Sequence, residues 1–145
     1  MQIITSGDQN MALGWVENIE KLTVENETFR TVLHTGKYSQ LTVMTLQAGE
    51  EIGNEVHDDH DQFIRIEEGA GEVTFGPDAD TVEETHSIED DFAIIIPAGT
   101  WHNVINTGEG KLKLYSIYSP AEHPDGTVHL TKADGDAAEA EHHGA

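Results

Sequence analysis

Pro97-Ala98-Gly99-Thr100-Trp101-His102-Asn103-Val104-Ile105-Asn106 reads as a turn that runs into a β-branched strand, with one histidine at the junction. Proline fixes its own φ and Gly99 tolerates left-handed backbone, so the apolar run Phe92-Ala93-Ile94-Ile95-Ile96 must stop at Pro97 and re-enter as a second strand. His102 is thereby set rigidly at the start of that strand, where it is placed to hold a metal ion.

Similar runs lie on both sides. Phe29 to His34, Gln40 to Leu46, Gln62 to Ile66, Glu72 to Phe75, Phe92 to Ile96, His102 to Ile105 and Leu112 to Tyr118 are short and rich in Val, Ile, Thr, Phe or Tyr. Gly36, Gly49, Gly69, Gly76-Pro77, Gly99 and Gly108 punctuate them. Many short strands between regular turns predict an all-β fold, a sandwich or jelly-roll barrel, over residues 29–132. Its last part, residues 119–132, is expected to pack back on the barrel. Residues 1–28 read as an N-terminal extension over the core, in which Trp15, Val16, Ile19 and Leu22 fit a short helix or an edge strand. Residues 133–145 are acidic and poor in large apolar groups, which predicts a flexible tail, frayed or disordered, carrying His142 and His143 as exposed residues.

A chain of 145 residues suffices for one hydrophobic core and falls short of two ordinary domains. With no cysteine, neither a disulfide framework nor a thiolate metal site is available. No apolar run approaches the roughly 20 residues that span a bilayer. Met1-Gln2-Ile3-Ile4-Thr5-Ser6-Gly7-Asp8 lacks the basic flank and apolar centre of a secretory signal, so a cytoplasmic location is expected. Acidic residues number 28 against 7 basic, for a net charge of -21. Nucleic acid and anionic membranes are therefore excluded as expected partners, since both require clustered Lys and Arg. The acids are spread along the chain and read as a solvated surface, suited to a salty, halophilic habitat where counter-ions screen self-repulsion.

The histidine turn has an upstream companion. Gly49-Glu50-Glu51-Ile52-Gly53-Asn54-Glu55-Val56-His57 is followed by Gln62 and closes at Gly69. Together with Pro97, Gly99, His102 and Asn106, which match Pro-x-Gly-x-x-His-x-x-x-Asn in full, it resembles the paired motifs of the cupin superfamily over roughly residues 40 to 118. The resemblance implies a double-stranded β-helix, the cupin jelly roll, with one divalent metal on His57, Gln62 and His102, and on Glu55 if it ligates. This chain departs from the usual pattern in reading Glu55-Val56-His57 and then Gln62 where the family shows His-x-His and then Glu. Some cupins that open or linearise uronate sugars carry Gln at the corresponding place. Asp91 stands where the second motif's leading glycine falls.

The spacing has a physical meaning without the family. Residues i and i+2 of a strand face one way, so Glu55 and His57 can point into a barrel while Val56 points out. Gln62, Ile64 and Ile66 likewise share a face, with a polar group at the mouth above an apolar floor. Two imidazoles, a carboxylate and an amide oxygen form a borderline N/O set that suits Zn, Mn, Fe, Ni or Cu. Glu55 has two readings: a ligand, or a general base standing off the ion. His60, in Asp58-Asp59-His60-Asp61, is the rival ligand if a tight turn brings it in, and otherwise an exposed loop histidine among solvated aspartates. His34, His86, His123 and His129 lack motif support and read as surface or hydrogen-bonded residues. Trp101 is expected on the outer face, Arg65 away from the mouth, and Tyr115, Phe75 and Met44 in the core.

Three functions fit these residues. The favoured one is an isomerase-type enzyme acting on a small sugar or sugar-acid-like substrate, with the metal as Lewis acid. A cupin dioxygenase, in which Fe, Ni or Cu binds substrate and oxygen together, is the second. The third is a non-enzymatic ligand-binding cupin in which Glu55 and Gln62 hydrogen-bond the ligand. A phosphorylated substrate is handicapped by the shortage of cations. Expected partners are a small-molecule substrate and a second copy, a homodimer burying an open sheet edge.

Overall fold

Short β-branched runs with one apolar face must bury that face, and this chain does so by closing two antiparallel sheets on each other. The structure, a computed structural model, describes residues 13–144, with side chains described as far as residue 140. In chain order, helix α1 (Ile19–Glu25) precedes β1 (Arg30–Thr35), β2 (Gln40–Leu46), β3 (Asp61–Glu68), β4 (Ala70–Gly76) and β5 (Glu84–Glu89). Then come β6 (Ala93–Ile96), β7 (Trp101–Ile105), β8 (Leu112–Ser119), β9 (Val128–His129) and helix α2 (Lys132–Gly144). One sheet has the order β6-β3-β8-β2-β1-β9 and the other β5-β4-β7. The all-β, jelly-roll reading of the sequence is what the structure has.

The floor of the barrel is apolar. Met44, Leu46, Ile64, Ile66, Val104, Leu112 and Leu114 are each 0% exposed. At about 1.5–3 kcal/mol per fully buried side chain, this cluster is the main source of stability. On β3 the alternation runs as the sequence predicts: Gln62, Ile64 and Ile66 are buried on one face. Arg65 lies on the other, against Glu67 and Asp91.

Two backbone devices hold the turns. Gly69 has φ 95°, and a Cβ there would lie 2.4 Å from the Lys111 carbonyl oxygen, so only glycine fits. Asp91, at the position where a glycine was the expected residue, takes φ 73°. Aspartate tolerates this left-handed region, and here its amide donates to Ile66 O (2.9 Å) while its carboxylate accepts from Arg65 (2.9 Å). Asn106 closes the loop between β7 and β8, donating to Leu46 O at 3.0 Å and Gly110 O at 2.8 Å.

Outside the barrel the structure selects among the alternatives. Of the N-terminal extension, residues 1–12 lie outside the described residues; the helical spacing becomes α1, capped by Asn18, whose side chain accepts from Lys21 N at 3.0 Å. The segment after β8 packs back as expected, with Val128 and His129 pairing to β1. Strand β5 was not anticipated. The acidic C-terminus forms helix α2 from Lys132. It touches the barrel at Gly135, where a Cβ would lie 2.6 Å from the Phe29 ring. The side chains of His142 and His143 lie outside the described ones. No helix among the described residues is long and apolar enough to cross a membrane.

Candidate metal centre

Glu55 and His102 exchange two backbone hydrogen bonds, each 2.9 Å, and so stand directly opposite in antiparallel register. Side chains of such a pair leave the same face. The expected strand through Glu55 and His57 is reduced to this one bridge at Glu55. His57 follows in a loop whose position is fixed by Gly99 N donating to His57 O at 2.9 Å. The same turn is anchored by Ala98 N donating to Asp61 Oδ1 at 2.9 Å, so Asp61 has a structural task besides being solvated. The Pro97 turn thus positions both halves of the site.

The side chains converge. Glu55 Oε1 lies 3.4 Å from His57 Nε2 and 3.5 Å from His102 Nε2. His102, 2% exposed, has Nδ1 2.9 Å from Thr100 O. A carbonyl only accepts, so Nδ1 carries the ring proton and Nε2 keeps a lone pair. That lone pair faces a carboxylate, and neither His102 Nε2 nor His57 Nε2 has a hydrogen-bond partner. Buried acceptors facing one another without a donor are costly unless a cation lies between them. An ion with tetrahedral bonds of about 2.1 Å spaces its ligand atoms about 3.4 Å apart, which matches this arrangement.

Gln62 adds a third buried acceptor without a partner. Its amide nitrogen donates to Ser116 Oγ at 2.8 Å, which leaves Oε1 buried and without a partner. Gln62 stands opposite Tyr118 of β8, whose ring edge meets His57 and His60. Burial pushes the Glu55 carboxyl up, but His102 and His57 against it outweigh burial and hold it well below the usual carboxylate range. It is therefore an anionic oxygen donor at neutral pH. Burial lowers the His57 imidazole, but Glu55 first and then Glu122 and Glu139 raise it further than burial takes it down.

The reading of His60 as an exposed loop residue is corrected. It is buried, stacked on His57 at 4.7 Å between ring centroids and 22° between planes. Its Nε2 lies 2.6 Å from Glu122 Oε2, which is in turn 3.4 Å from His57 Nδ1. The Asp61 anchor draws the loop inward, against the Tyr118 edge. Glu122 was missed by sequence reasoning, because it lies in a loop with no strand periodicity. It is placed by Gln40, 1% exposed, whose Oε1 accepts from Glu122 N (3.2 Å) and His123 N (2.9 Å). A buried glutamine at the head of an apolar strand was the available signal.

A cavity of about 560 Å³ opens beside Glu55, the one candidate ligand that borders it, and is lined also by Asp58, Trp101, Asp136 and Glu139 and, among the described residues, by no Lys or Arg. Trp101, expected to pack on the outer face, faces this space. Of the other histidines whose side chains are described, His86 and His129 are hydrogen-bonded as expected, whereas His123 is neither exposed nor hydrogen-bonded through its ring, its Nε2 being buried without a partner. His129 Nδ1 is 3.0 Å from Arg30, and exposed His86 is 2.9 Å from Glu84. His34 lies by Trp15, and His123 packs on the Tyr118 edge. Burial, and then Arg30, push His123 down to about 3. Met44 is in the core, Tyr115 packs beside Phe63, and Phe75 is partly buried beside the cluster.

Comparison with known proteins shows the family and the fold. The cupin domain matches residues 42–118. The uncharacterized protein YrkC of Bacillus subtilis (strain 168) is 57% identical over 125 residues, 86% of this chain and 67% of that protein. The uncharacterized protein L612 of Acanthamoeba polyphaga mimivirus is 41% identical over 119 residues, 81% of this chain and 72% of that protein. The crystal structure of BH2720 from Bacillus halodurans is similar at a TM-score of 0.84 and 54% identity, covering 85% of this chain and 93% of the other.

Proposed function

The chain belongs to the cupin domain family, and from that premise we propose that it holds one divalent transition-metal ion, Zn, Mn, Fe, Ni or Cu, and isomerises a small sugar. The observation that carries this reading is the pair of buried, unpartnered acceptors at the Glu55 carboxylate, His57 Nε2 and His102 Nε2, with Gln62 Oε1 a further buried, unpartnered acceptor on the other sheet. Glu55, His57, His102 and Gln62 are the residues that hold the ion. When bound, it supplies Lewis acidity to a substrate carbonyl or diol.

The chain's own groups do the rest. Glu55, held ionised beside the two imidazoles, serves as a ligand. Trp101 offers an apolar wall to the face of a sugar ring, and Asp58 and Asp136 accept from its hydroxyls. The cavity beside Glu55 is of a size that takes a small molecule. Its carboxylates, with no Lys or Arg on the wall, favour a neutral sugar over a sugar acid or a phosphate ester.

The test has two stages. Elemental analysis of protein purified without added metal should give about one transition-metal ion per chain, and none in H57A/H102A. A panel of aldoses and ketoses is then followed by NMR under nitrogen. Interconversion without oxygen supports the isomerase; turnover only in air points to the dioxygenase, and sugar binding without metal to a binding module.

A further inference from the structure

His57 has two ring nitrogens, and each faces a carboxylate. Nε2 looks to Glu55, as described, while Nδ1 lies 3.4 Å from Glu122 Oε2. On that second side His60 closes a triangle, and one ligand atom each of His57, His60 and Glu122 lies within 4.8 Å of the others. The side chains are 7%, 7% and 10% exposed. His60 stands between two carboxylates, and with its ring proton on Nδ1, 2.9 Å from Asp59, Nε2 has a lone pair to give. His60 Nε2 then meets Glu122 Oε2 at 2.6 Å with no hydrogen bond. In that tautomer this is again a buried lone pair against a carboxylate.

We propose that His57 Nδ1, His60 Nε2 and Glu122 Oε2 form a second seat for a divalent transition-metal ion, and that the two seats share His57, so that an ion occupies one at a time. Neutral imidazole has one lone pair to give. An ion on the Glu55 side requires the His57 proton on Nδ1, where Glu122 accepts it. With an ion on the Glu122 side the proton sits on Nε2 and Glu55 accepts it. Each carboxylate thus serves as ligand in one state and as proton acceptor in the other. The His57–Glu122 edge already matches the spacing of about 3.4 Å that a tetrahedral ion needs, while the His60–Glu122 edge must open by somewhat under 1 Å. The second seat also has its own approach, since Glu122 borders a separate cavity of about 380 Å³ with His123 and His129.

The experiment is cobalt(II) binding by equilibrium dialysis and visible absorption, with the full chain and cobalt alone. Wild type should bind about one ion tightly, and so should H60A/E122A, which keeps the first seat. E55A/H102A should also keep about one ion, with a different d–d spectrum, and adding H60A should remove it. If E55A/H102A, folded by circular dichroism, binds none while H60A/E122A binds one, the second seat is overturned and the proposed function stands. If H60A/E122A binds none, it is the Glu55 seat that fails. E55Q/H102Q, closer to the native side chains in size, replaces the alanine pair should that pair not fold, and is read in the same way.

Discussion

Along β3, two side-chain positions separate a site at peace with its surroundings from one that is not. Ile64 and Ile66 sit on the barrel floor among Leu112, Leu114, Met44 and Leu46, all without solvent contact, and leave no polar atom unmatched. Gln62, on the same face and 3% exposed, belongs to the mouth, where buried acceptors of Gln62, His57, His60 and His102 lack partners. The floor holds the fold together, and the mouth spends some of that stability to keep donors ready for a cation. The two regions should therefore fail in different ways when altered.

The largest effect is expected at the mouth, in metal affinity. H57A/H102A should weaken binding at least about a thousandfold, over 4 kcal/mol, while the metal-free protein melts at or above the wild-type temperature. A marked fall in metal-free stability would mean that these histidines are structural, and the contrast with the floor would dissolve. Next comes Ile64→Ala, which empties a fully buried position and should cost about 2–5 kcal/mol in a denaturant titration. The folded fraction should bind metal as wild type does; a parallel loss of affinity would show that floor and mouth are one unit.

Smaller effects sharpen the boundary. Gln62→Glu replaces a neutral oxygen donor by a charged one, so metal affinity read by competition with a chelator should hold or rise; complete loss of metal from a folded variant would remove Gln62 from the site. His123 gives a pH signature. Its folded-state value is pushed down to about 3, first by burial and then by Arg30, so the neutral ring is favoured in the folded protein. That contribution is complete above the unfolded value of about 6.5 and is lost as pH falls from there toward 3. The slope from this residue is at most about 1.4 kcal/mol per pH unit. Urea titrations of H123F between pH 6.5 and 4 should lack that part of the acid loss, and an unchanged acid limb would assign it elsewhere. Least of all, monovalent salt should raise the melting temperature of wild type and H57A/H102A equally, because screening of a net charge of -21 acts on the surface and not on the buried donors.

Much of this was legible in the chain. The β-branched runs gave β1 to β4 and β6 to β8, since alternation on a half-buried sheet is local information. Strand β5 escaped because Glu84-Thr85-His86-Ser87-Ile88-Glu89 is polar and exposed, and only Ile88 is buried. Glu55, His57 and His102 meet because one bridge and one turn align them, which motif spacing already encodes. His60 and Glu122 meet because Asp61 is drawn to the Pro97 turn and Gln40 grips residues 122 and 123. Those are long-range hydrogen bonds between loops, and no periodicity announces them. The acidic composition of α2 hid its docking, which rests on the absence of a side chain at Gly135 beside Phe29.

The most direct test of the central claim is anomalous diffraction at the metal edge from crystals of the protein loaded with zinc or manganese. The account predicts a peak roughly 2.0–2.3 Å from both His57 Nε2 and His102 Nε2, with Glu55 completing the contact. Metal-saturated crystals in which His102 Nε2 has no ion beside it would contradict it.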